Sequence, residues 1–113
     1  MSDFLQELRR TNSACLAAWE GDAKADGMFH ATELGGEVGE VLNVAKKLHR
    51  VAMRWRGSRA TVADLGEEIG DVLICLDKLA SFYGIDIAAV TTARFNATSD
   101  AVGLPHKLLG EPK

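Results

Sequence analysis

ELGGEVGEVLNVAKKL, residues 33–48, and DLGEEIGDVLICLDKL, residues 64–79, are the two stretches that decide the fold. Laid over one another at an offset of 31 residues, they agree at eight of sixteen positions, and acid replaces acid at Glu33/Asp64 and Glu40/Asp71. In each, apolar residues return every three or four positions, the period of a helix buried along one side. Apolar stripes of two helices resemble each other without further cause, but shared glycines do not. Gly35, Gly39, Gly66 and Gly70 each cost about 1 kcal/mol relative to alanine inside a helix, so their repetition implies close helix contact or room for a bulky ligand.

Outward from this repeat the rest of the chain reads as helix. Leu34, Val38, Val41, Leu42, Ala45 and Leu48 place a helix of about six turns between Met28 and Arg50. Thr61 followed by Asp64 reads as a capping-box variant that opens the next helix, through Phe82. Upstream, Phe4, Leu5, Leu8, Cys15, Leu16 and Trp19 repeat at helical spacing from a start at Ser2 or Asp3, and EGDAKADG then forms a turn-rich loop. Downstream, Gly84 ends the third helix and Asp86 caps a fourth, through Thr98. The only prolines, Pro105 and Pro112, fall in a tail expected to be loose over 101–113. No segment alternates as a strand does. The fold class is therefore all-α, one domain over 1–113 with its core at about 3–100.

Composition narrows the function. With 13 Lys+Arg against 16 Asp+Glu and 47% apolar residues, the chain is mildly acidic and able to build a core. Nucleic acid as a main partner is disfavoured, since displacing counterions from phosphates needs a cationic surface. The most apolar run, VLICL at 72–76, is far short of the roughly 20 residues of a membrane span, and MSDFLQELRR has no hydrophobic signal core. A cytosolic protein without membrane contact is expected. Cys15 and Cys75 lack CxxC spacing and read as small buried hydrophobes.

The carboxylates carry the chemistry. At 100° per residue, with Leu34 at zero, Glu37 and Glu40 fall at about 300° and 240°, beside an apolar stripe centred near 10°. Glu68 and Asp71 take the same two angles when Leu65 is zero. Antiparallel packing through equivalent stripes gathers Glu37, Glu40, Glu68 and Asp71 at one seam, flanking the buried stripe. Unit charges at 4 Å repel by about 4 kcal/mol per pair at an effective dielectric near 20, so a cation must compensate. Oxygen ligands without His or Cys suit Mg²⁺, with Mn²⁺ as a substitute. The structural alternative is a solvated border of acids along each helix.

EVGE at 37–40 followed by EIGD at 68–71 resembles the ExxE…ExxD signature of the MazG-like, all-α nucleoside triphosphate pyrophosphohydrolases. The likeness extends over about residues 15–100 and takes in RGSRAT, YGID and RFNATSD. It implies a four-helix, bundle-like fold completed by dimerisation. It also implies Mg²⁺ held by Glu37, Glu40, Glu68 and Asp71, and release of a nucleoside monophosphate and pyrophosphate from a nucleoside triphosphate, an activity that clears unwanted nucleotides. Two departures stand out: Gly36 occupies the place of the first Glu of the longer EExxE motif, with Glu33 one turn earlier as an outer carboxylate, and Arg94 replaces a common Lys.

Phosphoanhydride hydrolysis needs a neutralised polyphosphate and a positioned water. Glu37 or Glu40 is expected to act as base. Lys47 and Arg94 are the candidate phosphate cations, with Asn96 as an amide donor, and Trp19 and His30, with Phe29, form the candidate wall for base and sugar. Trp55 among Arg50, Arg54, Arg56 and Arg59 is open to several roles, from a lid to a subunit contact. Four helices barely enclose a nucleotide, so a homodimer or a dimer of dimers, a homotetramer, is expected. The competing reading is a non-catalytic helical dimer that binds nucleotide, RNA or a partner protein.

Overall fold

The computed structural model describes residues 2–55, 57 and 59–110, except the side chains of Ser2 and Asp3. The expected cap at Ser2 or Asp3, the Arg56 side chain and Pro112 lie outside the described residues. Among these the chain is all-α: α1 (Ser2–Glu20), α2 (Gly27–Ala52), α3 (Val62–Phe82) and α4 (Ile87–Ala101), with no strand.

Local chemistry fixes the ends. The Asp26 carboxylate accepts from the Phe29 amide at 2.8 Å and opens α2. Thr61 and Asp64 form the reciprocal capping box, the Asp64 carboxylate accepting from the Thr61 amide at 2.8 Å. Asp86 caps α4 through the Ala89 amide. Gly84 turns the chain out of α3 at φ +66°, a region open to glycine without strain. Gly27 is needed for a different reason, because a side chain there would strike the Tyr83 ring.

α2 and α3 pack as an antiparallel pair and form the main body of the fold. α1 lies against α3, and α4 has its principal helix contact with α1. The α1–α3 contact is polar at its centre. Arg9 donates to the buried Asp77 carboxylate at 2.9 Å and to the Ile85 carbonyl at 2.9 Å, while Asn12 donates to the other Asp77 oxygen and to the Ile74 carbonyl, each at 3.1 Å. The tail expected to be loose is fastened at Lys107 and Leu108: Asn96 exchanges two hydrogen bonds with the backbone of Leu108, and Lys107 pairs with Asp100.

The packing stripe is not where sequence angles put it. His30 and Val44 are buried and Leu34, Glu37, Val41 and Leu48 half-buried, while Val38, Leu42 and Ala45 are exposed. The face that α2 turns to α3 is thus centred near 315° rather than 10°, and Glu37 and Glu68 lie half-buried in the contact face while Glu40 and Asp71, exposed, flank it as expected. The glycines are the physical reason. Gly35 and Gly39 offer little side chain to bury, so the branched residues on the adjoining side take the contact. No atom lies within 4 Å of a Cβ built on Gly35, Gly39, Gly66 or Gly70, so these glycines serve no close helix contact within the chain. Cys75 is buried as expected, but Cys15 is exposed.

Burial is low for this size. The surface is 8391 Å², against about 6,100 Å² for a typical folded monomer of 12.2 kDa. The radius of gyration is 17.5 Å, where about 13 Å is usual.

Replacement of Asp77 by Ala should cost about 2 kcal/mol in chemical denaturation, below the usual loss for a broken buried pair because Arg9 keeps its bond to Ile85. Asp77→Asn, which retains an acceptor for Arg9 but not the charge, should cost less; an Asp77→Ala variant as stable as the wild type would remove the Arg9–Asp77 contact as the clasp of α1.

Candidate metal centre

Glu37 from α2 and Glu68 and Asp71 from α3 converge, each offering a carboxylate oxygen within 4.8 Å of the others. The arrangement follows from helix spacing. Glu68 and Asp71 are three residues apart and share a face, and antiparallel pairing sets Glu37 opposite them. Glu40 stands outside that closest group, exposed, but its charge acts on Glu68. Among the described residues none of the four carboxylates has an ion-pair partner.

The electrostatic cost is visible at Glu68. Loss of solvent, then Asp71, Glu40, Glu37 and Glu67 in that order, push its carboxyl above the ordinary value of 4.5. A set of oxygen donors on two rigid helices, with uncompensated negative charge, fits a hard divalent cation. Glu33, one turn before Glu37, faces Lys78 at 3.7 Å, and burial, then the Glu33 charge, push the Cys75 thiol up to about 11. That thiol is a poor nucleophile.

Two cavities continue the seam in opposite directions. Toward the N-terminus of α2, a cavity of about 280 Å³ is lined by Asn12, Leu16, His30, Lys78, Ser81 and Phe82. His30 is 2% exposed, its Nδ1 has no hydrogen-bond partner, and its ring lies 6.1 Å from that of Phe82. The cavity shares Glu20, Lys24 and Ala25 with a cleft holding Trp19 and Phe29. The candidate base-binding residues Trp19 and His30 are therefore neighbours through a common wall. Toward the C-terminus of α2, a cleft of about 400 Å³ holds Glu40, Asn43, Lys47, Arg59, Asp64 and Glu68.

Arg94 and Asn96 are elsewhere. Arg94 lines a cleft on α4 with Val90, Thr91, Phe95 and Thr98, and Asn96 spends its amide on Leu108. Neither lines the cleft that holds Glu40 and Glu68. The Trp55 ring packs edge-on against His49. Sequence reasoning passed over Asn12, Lys78, Ser81 and Phe82. Lys78 was within reach, as the counterpart of Lys47 in the 31-residue repeat. Comparison with models of known protein families, with curated proteins and with solved structures finds no match.

Because folding raises the Glu68 carboxyl, the folded state holds more protons than the unfolded one just above 4.5, and stability falls as pH rises through that range. Metal-free Glu68→Gln should therefore melt above the metal-free wild type at pH 7, while Mg²⁺ should raise the melting temperature of wild type more than that of the variant. Scanning calorimetry with and without Mg²⁺ checks both signs; an equal Mg²⁺ effect on the two would exclude Glu68 as a ligand.

Proposed function

We propose that this protein is a Mg²⁺-dependent nucleoside triphosphate pyrophosphohydrolase with a MazG-like fold, cleaving a ribo- or deoxyribonucleoside triphosphate to the monophosphate and pyrophosphate. One observation carries the reading: carboxylates from two antiparallel helices converge with no ion-pair partner among the described residues, and one of them, Glu68, lines a cleft that also holds Lys47 and Arg59. The EVGE…EIGD resemblance gives that cluster its chemistry. Glu37, Glu68 and Asp71 would hold the metal, with Glu40 beside them and Mn²⁺ a workable substitute. When bound, a divalent cation supplies charge neutralisation for the polyphosphate and acidifies a water.

The remaining work falls to the chain. A water oxygen forms a bond to the α-phosphorus as the bond from that phosphorus to the bridging oxygen breaks. The bridging oxygen leaves with the diphosphate, and a proton of the water passes to Glu37 or Glu40. The cavity at His30 suits the nucleoside: Leu16 and Phe82 give it apolar wall, and His30 Nδ1, Ser81 and Asn12 give it polar groups. His30 precedes Glu37 by seven residues, about 10 Å along the helix, a span comparable to that from a nucleobase to its phosphates.

A second copy completes this arrangement. Val38 and Leu42 on α2 and Ile69 and Leu76 on α3 are exposed on the side that carries the repeated glycines. The surface exceeds that of a typical monomer by about 2,300 Å², and permanent interfaces bury roughly 1,000–2,500 Å² per partner. A homodimer or homotetramer covers that face, and a partner chain is the source of the Arg94 that each groove lacks. Ile69→Glu should convert the assembly to a monomer by analytical ultracentrifugation, and a wild-type monomer at micromolar concentration would refute the assembly.

The activity is tested by incubating purified protein with a panel of ribo- and deoxyribonucleoside triphosphates and Mg²⁺. Pyrophosphate release that stops on chelation, and in Glu68→Gln at unchanged helix content, is expected. No pyrophosphate from any nucleotide with the fold intact would end the proposal.

A further inference from the structure

The repeat makes the two ends of the groove equivalent in sequence, and one local difference breaks the equivalence. Lys47 corresponds to Lys78, and Asp64 corresponds to Glu33. At the His30 end Glu33 faces Lys78 at 3.7 Å. At the other end the equivalent pairing is not made, because Asp64 is committed to the capping box and accepts from the Thr61 amide. Lys47 therefore has no ion-pair partner among the described residues, although it shares its cleft with carboxylates. Arg59, contributed by the α2–α3 loop to the same cleft, has none either. An arginine and a lysine left unpaired beside Glu40, Asp64, Glu67 and Glu68 are positioned for an anion that arrives with its own cations.

Resting on the reading of the groove as a triphosphate hydrolase, we propose that the Lys47–Arg59 cleft is the seat of the departing diphosphate, with Arg59 as its grip. The substrate then lies in one direction, nucleoside toward His30 and terminal phosphates toward Arg59. The walls agree with this direction. The His30 cavity has the apolar surfaces of Leu16 and Phe82, whereas the Arg59 cleft has only Val44 and Ala60 and is otherwise charged or amide-lined. Lys47 follows Glu40 by two turns, about 10 Å, while Arg59 lines the same cleft from the loop. The guanidinium fork matches two phosphate oxygens at once, which an ammonium does not. Four carboxylates against two cations repel bare diphosphate, so the cleft takes it only as a magnesium complex.

Titration calorimetry of the full-length protein with inorganic diphosphate, with and without Mg²⁺, tests the assignment. Wild type should bind diphosphate in Mg²⁺ and not without it. Arg59→Ala should weaken that binding about tenfold or more, with Arg59→Lys in between. Binding of a nucleoside monophosphate in Mg²⁺, and the Mg²⁺-induced rise in melting temperature, should stay within about twofold and unchanged, respectively. Equal weakening of monophosphate and diphosphate, undiminished diphosphate binding in Arg59→Ala, or no binding by wild type in Mg²⁺ would each overturn the assignment. These binding measurements need no turnover, so an inactive wild type that passes them would refute the hydrolase alone, and an active one that fails them would refute only the role of Arg59.

Discussion

Everything in this fold follows from α2 and α3 packing through the stripe that carries their carboxylates. Helix pairs ordinarily put charge at the border and keep the seam apolar, because a buried or crowded charge without a partner is costly. Here Glu37 and Glu68 are half-buried in the seam and Asp71 closes the group. The pair is held in spite of this by Val44, Cys75 and the half-buried leucines, and α1 is secured separately by the Arg9–Asp77 clasp. Stability supplied at some distance from the carboxylates lets their mutual repulsion persist in the folded chain. That division between a strained centre and secured edges is common where a site has to be ready before its ligand arrives.

The same rotation that brings the acids inward turns the glycines outward. Had Gly35, Gly39, Gly66 and Gly70 mediated the internal contact, the acids would have flanked the seam, farther from one another. With the branched residues inside, one side of each helix is left with small residues and exposed Val38, Leu42, Ile69 and Leu76. Closeness of the carboxylates and exposure of an apolar face are thus two results of one choice of helix face. The carboxylate cluster and the exposed apolar face are coupled by geometry.

Much of this was legible in the chain. The four helices, the capping box at Thr61 and Asp64, the turn at Gly84 and the cap at Asp86 depend on residues within four positions of one another, which local spacing reports well. The gathering of Glu37, Glu68 and Asp71 was readable because the repeat duplicated both spacing and angle. The rotation of the stripe was not, since a broad apolar arc offers two contact faces and spacing cannot weigh branched side chains against glycines. Arg9, Asn12 and Asp77 were illegible for another reason: each looks like an ordinary surface residue, and only the crossing of α1 over α3 turns them into a network. The placement of Arg94 and Asn96 depends on how α4 leaves the body, which no local pattern encodes.

The repeat also accounts for why the two ends of the α2–α3 seam are so alike and yet differ. Two related helices packed antiparallel produce two equivalent ends, and such a groove would accept an elongated ligand either way round. A single commitment breaks the tie, for Asp64 serves the start of α3 and leaves Lys47 without an ion pair among the described residues, while its counterpart Glu33, deep within α2, has no helix end to serve and faces Lys78. The asymmetry comes from position along the helix rather than from a new residue type. Capping, a local requirement worth about 1 kcal/mol to a helix, thereby decides which lysine is left without an ion-pair partner among the described residues.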